Sequence, residues 1–105
     1  MERNESDEVM LHKGEYDSKY KEAYRHVIWS DEPEKVIIDE DPDVDYSDFS
    51  SIGYYDGFNY ARWCVMSGRK YDVPADNLEA EMDKSFTQAI KKHAEYLKNN
   101  QGRAK

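Results

Sequence analysis

Small residues recur at every fourth position in the most apolar stretch of the chain, at Gly53, Gly57 and Ala61. Residues at this spacing share one face of a helix, and their small size allows a second helix to approach closely. That packing offsets a helix-propensity cost of about 1 kcal/mol for each glycine. The pattern therefore predicts a buried central helix that begins near Ile52.

The same stretch contains a competing signal, the dipeptide Asp56-Gly57 between aromatic residues. This dipeptide favours the type I′ turn of a β-hairpin. We adopt the helix because Gly68 is placed as a C-terminal stop and Ser50-Ser51 can supply the N-cap. The hairpin stays open as the alternative for residues 52–63.

A first helix is predicted upstream, where apolar residues follow Asp17 at helical spacing. Asp17 is the candidate N-cap. The helix should stop near Ser30-Asp31, because Pro33 disfavours helical geometry in the residue before it. The next apolar residues, Val36-Ile37-Ile38, form either a strand or a helical turn that begins at Pro33, and so short a run does not decide between them.

A last helix is predicted after Pro74, where Asp76 and Glu79 resemble a capping box. Acids lie in its first half and lysines in its second, which complements the helix dipole. Its apolar stripe consists of Leu78, Met82, Phe86, Ala89, Ile90, His93 and Leu97.

These elements predict an all-α fold: a small three-helix domain, or a four-helix domain if Pro33 begins a helix. Asp41-Pro42-Asp43 forbids regular structure, so an acidic loop should join helices 1 and 2. We expect one domain at residues 15–98, a mobile N-terminal tail at residues 1–14 and a frayed tail at residues 99–105.

Negative charge is concentrated between residues 31 and 56, which hold ten of the chain's 23 acids and one base, Lys35. This stretch carries more than the whole net charge of −8. Aromatic residues lie among the acids, and protein interfaces combine aromatic anchors with complementary charge. We therefore expect a basic protein partner, bound by Asp39, Glu40, Asp41, Asp43, Asp45, Tyr46, Asp48, Tyr55 and Asp56. The alternative is a solvated acidic loop that binds nothing.

Acidity also bears on the classes of partner and compartment. Nucleic acids and anionic membranes would be repelled, and no apolar run is long enough to span a membrane. The charged first residues lack the apolar region of a signal peptide, and a lone cysteine, Cys64, fits a reducing cytosol. We expect a cytoplasmic protein.

No enzyme, cofactor or metal site is predicted. The chain lacks the common nucleotide-binding and hydrolase motifs, and its three histidines are isolated. Alternating aspartates from Asp39 resemble the start of a calcium loop, but Val44 and Ser50 occupy the positions that require glycine and glutamate.

Asp48 and Tyr54-Tyr55-Asp56 look similar to the acidic toxin contact of colicin-type DNase immunity proteins, which are small and helical and carry an adjacent tyrosine pair. Those proteins continue with proline, whereas this chain continues with Gly57. The resemblance is therefore to a class, which includes the immunity proteins of contact-dependent growth inhibition systems in bacteria. It implies inhibition of a cognate nuclease-like toxin by occlusion of its cationic surface.

Two other functions stay open. A nucleic-acid mimic, such as an anti-defence protein of a phage, would present carboxylates in place of phosphates. A mimic needs acids spread over an extended surface, whereas the expected loop concentrates them, and this favours the immunity function. The third function is that of a helical adaptor with an unknown partner.

Overall fold

The computed structural model describes residues 5–68 and 75–103, and every regular element within these ranges is an α-helix. The helices are α1 (Glu5–Ile28), α2 (Pro33–Asp39), α3 (Phe49–Met66) and α4 (Ala75–Arg103). The all-α prediction is confirmed, and the short α2 makes a fourth helix.

Helix α3 packs against α1 along the row of small residues. A Cβ atom on Gly53 would clash with the carbonyl oxygen of Tyr16, and one on Gly57 would clash with that of Tyr20. The prediction of a close helix approach is confirmed, and the hairpin is excluded because α3 runs unbroken through Asp56-Gly57. Since both contacts advance by four residues along each helix, α1 and α3 run parallel.

Helix α4 runs antiparallel to α1. Lys13 Nζ lies 2.9 Å from Asp83 Oδ1, and Lys21 Nζ lies 3.8 Å from Glu79 Oε1. The residue of α1 that is later in the chain, Lys21, thus pairs with the residue of α4 that is earlier in the chain, Glu79. Met82, Phe86 and Ala89 on the predicted stripe are buried, whereas Leu97 at its end is exposed.

Two adjoining clusters form the core. Both draw residues from α1 and α3, and the second adds the buried face of α4. The first contains Ala23, Tyr24, Val27, Ile28, Phe58, Ala61, Cys64 and Val65. The second contains Tyr16, Tyr20, Phe49, Ile52, Met82, Phe86 and Ala89.

Helix α1 begins at Glu5, not after a cap at Asp17, so residues 5–14 are helical, where no regular element was predicted. Two contacts with distant parts of the chain explain the extension. Lys13 bridges α1 to α4, and the His12 ring stacks on Phe49 with 4.9 Å between centroids. Residues 1–4 lie outside the described residues.

The other helix boundaries also differ in part from the prediction. Helix α2 begins with Pro33 at its first turn, where a missing N–H costs nothing, so the helical alternative holds. Asp48 caps α3 instead of Ser50-Ser51, because its carboxylate accepts a hydrogen bond from the Ser50 N–H. Gly68, with φ of 73°, follows the last turn of α3 as predicted.

Helix α4 is already helical at Ala75 and continues to Arg103. Asp76 therefore lies inside the helix and not at the cap position, and the predicted opening residue, Pro74, lies outside the described residues. The backbone at residues 99–103 is helical. The continuous helical spacing across the stripe accounts for this length.

The parallel arrangement of α1 and α3 requires the chain to return between them. Helix α3 begins beside His12, whereas α1 ends at Ile28. Along the axis of α1, His12 and Ile28 are about 24 Å apart at a helical rise of ~1.5 Å per residue. Residues 29–48 make this return, and we call them the acidic crossover.

Candidate functional site

Apolar side chains fix the acidic crossover to the helix bundle at two places. Val36 and Ile37 pack against the first core cluster, and Val44 and Tyr46 pack against the second. Between these anchors the acids point to solvent. All nine acids of the crossover are exposed: Asp31, Glu32, Glu34, Asp39, Glu40, Asp41, Asp43, Asp45 and Asp48.

Two acids in the middle of the crossover meet a histidine and an arginine of the bundle. His26 Nε2 lies 2.8 and 2.9 Å from the two carboxylate oxygens of Glu40. Arg62 lies 3.6 Å from Asp41, whose side chain is 91% exposed. Exposed pairs of this kind contribute about 0–1 kcal/mol each, so they orient the segment more than they stabilise it.

Asp45 and Asp48 shape the end of the crossover. Asp45 accepts hydrogen bonds from the Ser47 hydroxyl at 2.6 Å and the Ser47 N–H at 3.0 Å, and these lower the pKa of Asp45. The Asp45 N–H in turn donates to Ser51 Oγ at 2.8 Å. Both carboxylates therefore have local structural roles while remaining exposed.

Tyr46 is half-buried and connects the crossover to α4. Its carbonyl oxygen lies 2.7 Å from His93 Nδ1, which must donate because a carbonyl only accepts. Lys92 Nζ lies 6.0 Å from the centre of the Tyr46 ring. Tyr46 thus lies at the expected surface, but much of its ring packs against the protein itself.

Tyr55 and Asp56 lie on α3 and not on the crossover, and both are half-buried. The Tyr16 hydroxyl donates to Asp56 Oδ2 at 2.7 Å, across the α1–α3 contact. Burial raises the pKa of Asp56, and burial together with this hydrogen bond raises the pKa of Tyr16. Asp56 therefore belongs to the helix interface, unlike the other predicted acids. Burial also raises the pKa of Tyr54, which packs against the first core cluster.

The structure distributes the acids differently from the expected compact loop. They begin in the turn after α1, continue through α2 and end at the cap of α3. The acidic crossover therefore forms a strip along the bundle, about 24 Å in length on the helical rise of ~1.5 Å per residue. The acids from Asp39 to Asp48 are contiguous along this strip.

A groove beside the crossover was not predicted. It lies between α2 and α3 and exposes two large apolar side chains, Ile38 and Met66. Ile38 belongs to the apolar run Val36-Ile37-Ile38, but unlike its two neighbours it does not pack against the core. If these three residues are placed on a helix, their side chains point in different directions, because successive residues are rotated by about 100° around the helix axis.

Within the described residues, no three His, Cys, Asp or Glu side chains are grouped as a metal site would require. Cys64 is a free, buried thiol on α3. No described helix has both the length and the apolar character needed to cross a membrane.

The similarity to immunity proteins depends on residues that the fold places apart. Asp48 caps α3 at the end of the crossover, whereas Asp56 is directed towards Tyr16. Comparison of the chain with family models, with curated proteins and with solved structures finds no match.

Proposed function

We propose that this protein is an inhibitor that binds a basic protein partner through its acidic crossover. The immunity proteins of bacterial nuclease toxins provide the closest functional class: the crossover would cover the cationic surface with which a nuclease holds phosphates. Association of this kind is accelerated and directed by complementary charge.

One observation carries the proposal. The crossover packs Val36, Ile37, Val44 and Tyr46 against the core and turns all nine of its acids towards solvent. The acids from Asp39 to Asp48 are fixed to a rigid helix bundle at both ends, so little conformational entropy is lost when they meet a partner. A flexible acidic tail would lack this advantage.

The direct test neutralises three acids without altering the backbone. In the triple variant Asp43→Asn, Asp45→Asn, Asp48→Asn the amide oxygens can still accept the turn and cap hydrogen bonds. The partner to be tested is a basic nuclease domain, sought among the products of the genes that neighbour the gene for this chain. We expect its affinity to fall by at least about tenfold at low ionic strength, mainly through slower association.

A matched variant controls for total charge. Glu15→Gln, Glu22→Gln, Glu79→Gln removes three exposed carboxylates from α1 and α4, and it should bind as the wild type does. Nuclease inhibition is measured alongside binding for both variants. Equal binding by the two triple variants, or no inhibition of the nuclease by the wild type, would refute the proposal.

A second candidate function, nucleic-acid mimicry, is supported by the extent of the crossover. One DNA strand places a phosphate every ~3.4 Å along the axis, so ~24 Å corresponds to roughly seven phosphates. A mimic would compete with duplex DNA for unrelated DNA-binding proteins. An immunity protein would instead inhibit one cognate toxin, and retain binding at roughly 0.5 M salt, where charge is strongly screened and apolar contacts persist. Competition experiments with both kinds of protein separate the two functions.

A further inference from the structure

An open groove lies between α2 and α3. Its volume is about 590 Å³. It is open to solvent along one side of the bundle and lies next to the acidic crossover. The lining residues are Glu34, Ile37, Ile38, Glu40, Asp41, Arg62, Val65 and Met66.

The floor of the groove is apolar and partly uncovered. Ile38 is 79% exposed and Met66 is 75% exposed, although both are large hydrophobic residues. Among the other apolar lining residues, Val65 belongs to the first core cluster and Ile37 packs against it. Single exposed apolar residues are common on proteins, but a contiguous apolar groove with a polar rim is typical of an interaction site.

The rim of the groove is negatively charged. Glu34, Glu40 and Asp41 supply three carboxylates, and Arg62 supplies one cation among the lining residues that the structure describes. Arg62 is directed towards the protein itself, since it lies 3.6 Å from Asp41 and its guanidinium lies 5.2 Å from the centre of the Phe58 ring. An approaching partner therefore meets acids around an apolar floor.

We infer that this groove binds a partner segment in which apolar side chains are flanked by lysine or arginine. The apolar side chains would cover Ile38 and Met66, and the bases would meet the rim acids. A second copy of this chain fits poorly, because a symmetric contact would bring the same carboxylates together. The inference rests on the proposed function, since one wall of the groove is formed by the crossover and includes its acids Glu40 and Asp41. It adds an apolar anchor to the contact.

The test uses the full chain labelled with ¹⁵N and a synthetic peptide of alternating leucine and lysine. Chemical-shift changes should centre on Ile37, Ile38, Val65 and Met66. A peptide with serine in place of leucine should shift only the acidic residues of the crossover, such as Asp43, and not Ile38 or Met66. A peptide with glutamate in place of lysine should shift neither set.

Exposed positions allow substitutions that spare the fold. Ile38→Ser and Met66→Ser should each weaken binding of the leucine–lysine peptide by about tenfold, the effect expected for a central anchor. Leu11→Ser is the matched control, because Leu11 is 69% exposed and lies on α1 outside the groove. It should leave the affinity unchanged.

Three outcomes would overturn the inference: no shifts in the groove, equal affinity for the leucine and serine peptides, or groove shifts that follow protein concentration without peptide. The last would identify a second copy as the occupant. Failure of the proposed function is a separate result. In that case the groove would bind the leucine–lysine peptide while the wild-type chain left the basic nuclease active.

Discussion

Replacement of Gly57 by alanine should destabilise the fold, although alanine is the better helix former. The added Cβ would lie 2.8 Å from the Cα and carbonyl carbon of Tyr20, and closer still to the carbonyl oxygen. These are backbone atoms, which cannot rotate away as the end of a side chain can. The two parallel helices α1 and α3 would therefore have to separate along their contact.

The magnitude follows from two opposing effects. Overpacking of a tight contact costs about 1–3 kcal/mol or more, and the gain in helix propensity is about 1 kcal/mol. Because the obstacle at Gly57 is backbone, we take the upper part of that range and expect a net loss of about 1–2 kcal/mol in the free energy of unfolding. For a domain of this size a loss of 1 kcal/mol corresponds to a fall of about 4–8 °C in Tm.

The assay is urea unfolding followed by the helical circular dichroism signal, with Gly14→Ala as the matched control. Gly14 also lies inside α1, but no atom is within 4 Å of a Cβ built there. That variant should gain about 0.5–1 kcal/mol, since only the helix propensity changes. If Gly57→Ala gained stability as Gly14→Ala does, α1 and α3 would not cross at Gly57, and the parallel arrangement would be wrong.

Three further predictions test the packing and charges of the bundle. Met82 is 2% exposed, so Met82→Ala should lower the free energy of unfolding by about 2–5 kcal/mol. Met66 is 75% exposed, so Met66→Ala should change the free energy of unfolding by less than about 0.5 kcal/mol. Similar losses at both sites would contradict the core assignment. Lys13→Ala should lower the free energy of unfolding by about 0.5–1 kcal/mol, because Lys13 pairs with one acid on α1 and one on α4. The loss should be smaller in high salt, where charge pairs are screened. A loss that does not depend on salt would exclude this role. Burial raises the pKa of Asp56, so the folded state holds its proton more tightly and wild-type stability falls as pH rises through that pKa. Unfolding of Asp56→Asn should therefore show a stability advantage over wild type that grows from about pH 4 to about pH 7, and a constant difference would contradict the burial of the charge.

The sequence predicted the helix faces better than the arrangement of the helices. The spacing of Gly53 and Gly57 indicated a close helix neighbour, and α1 is that neighbour. The spacing does not specify the direction of the neighbour, so the parallel packing and the long return were not predicted. The hairpin signal at Asp56-Gly57 is local, and it was overridden by packing against a helix some forty residues away in sequence.

The missed features share a cause, which is contact between distant parts of the chain. Helix α1 extends to Glu5, and its contacts with distant residues include the pair of Lys13 and Asp83. The spacing of apolar residues within α1 does not predict that pair. Asp56 was assigned to the binding surface because its neighbours in sequence are acidic and aromatic, but its hydrogen-bond partner is Tyr16. The groove requires α2 to lie beside the end of α3, which no local pattern indicates.

Apart from the pairing of Glu40 with His26 and of Asp41 with Arg62, the charge of the acidic crossover has no role in folding that neutral residues would not perform equally well. A return between two parallel helices needs sufficient length and apolar anchors, and Val36, Ile37, Val44 and Tyr46 supply the anchors. The hydrogen bonds of Asp45 and Asp48 can equally be accepted by amide oxygens.

Nine exposed carboxylates along one strip instead repel each other, which opposes the compact state. Net charge favours solubility wherever it lies on a surface, so solubility does not explain why the acids are gathered in this segment. Neutral variants of the crossover should therefore fold at least as stably as the wild type and still lose the partner. This separation of stability from binding is what distinguishes a recognition surface from a structural one.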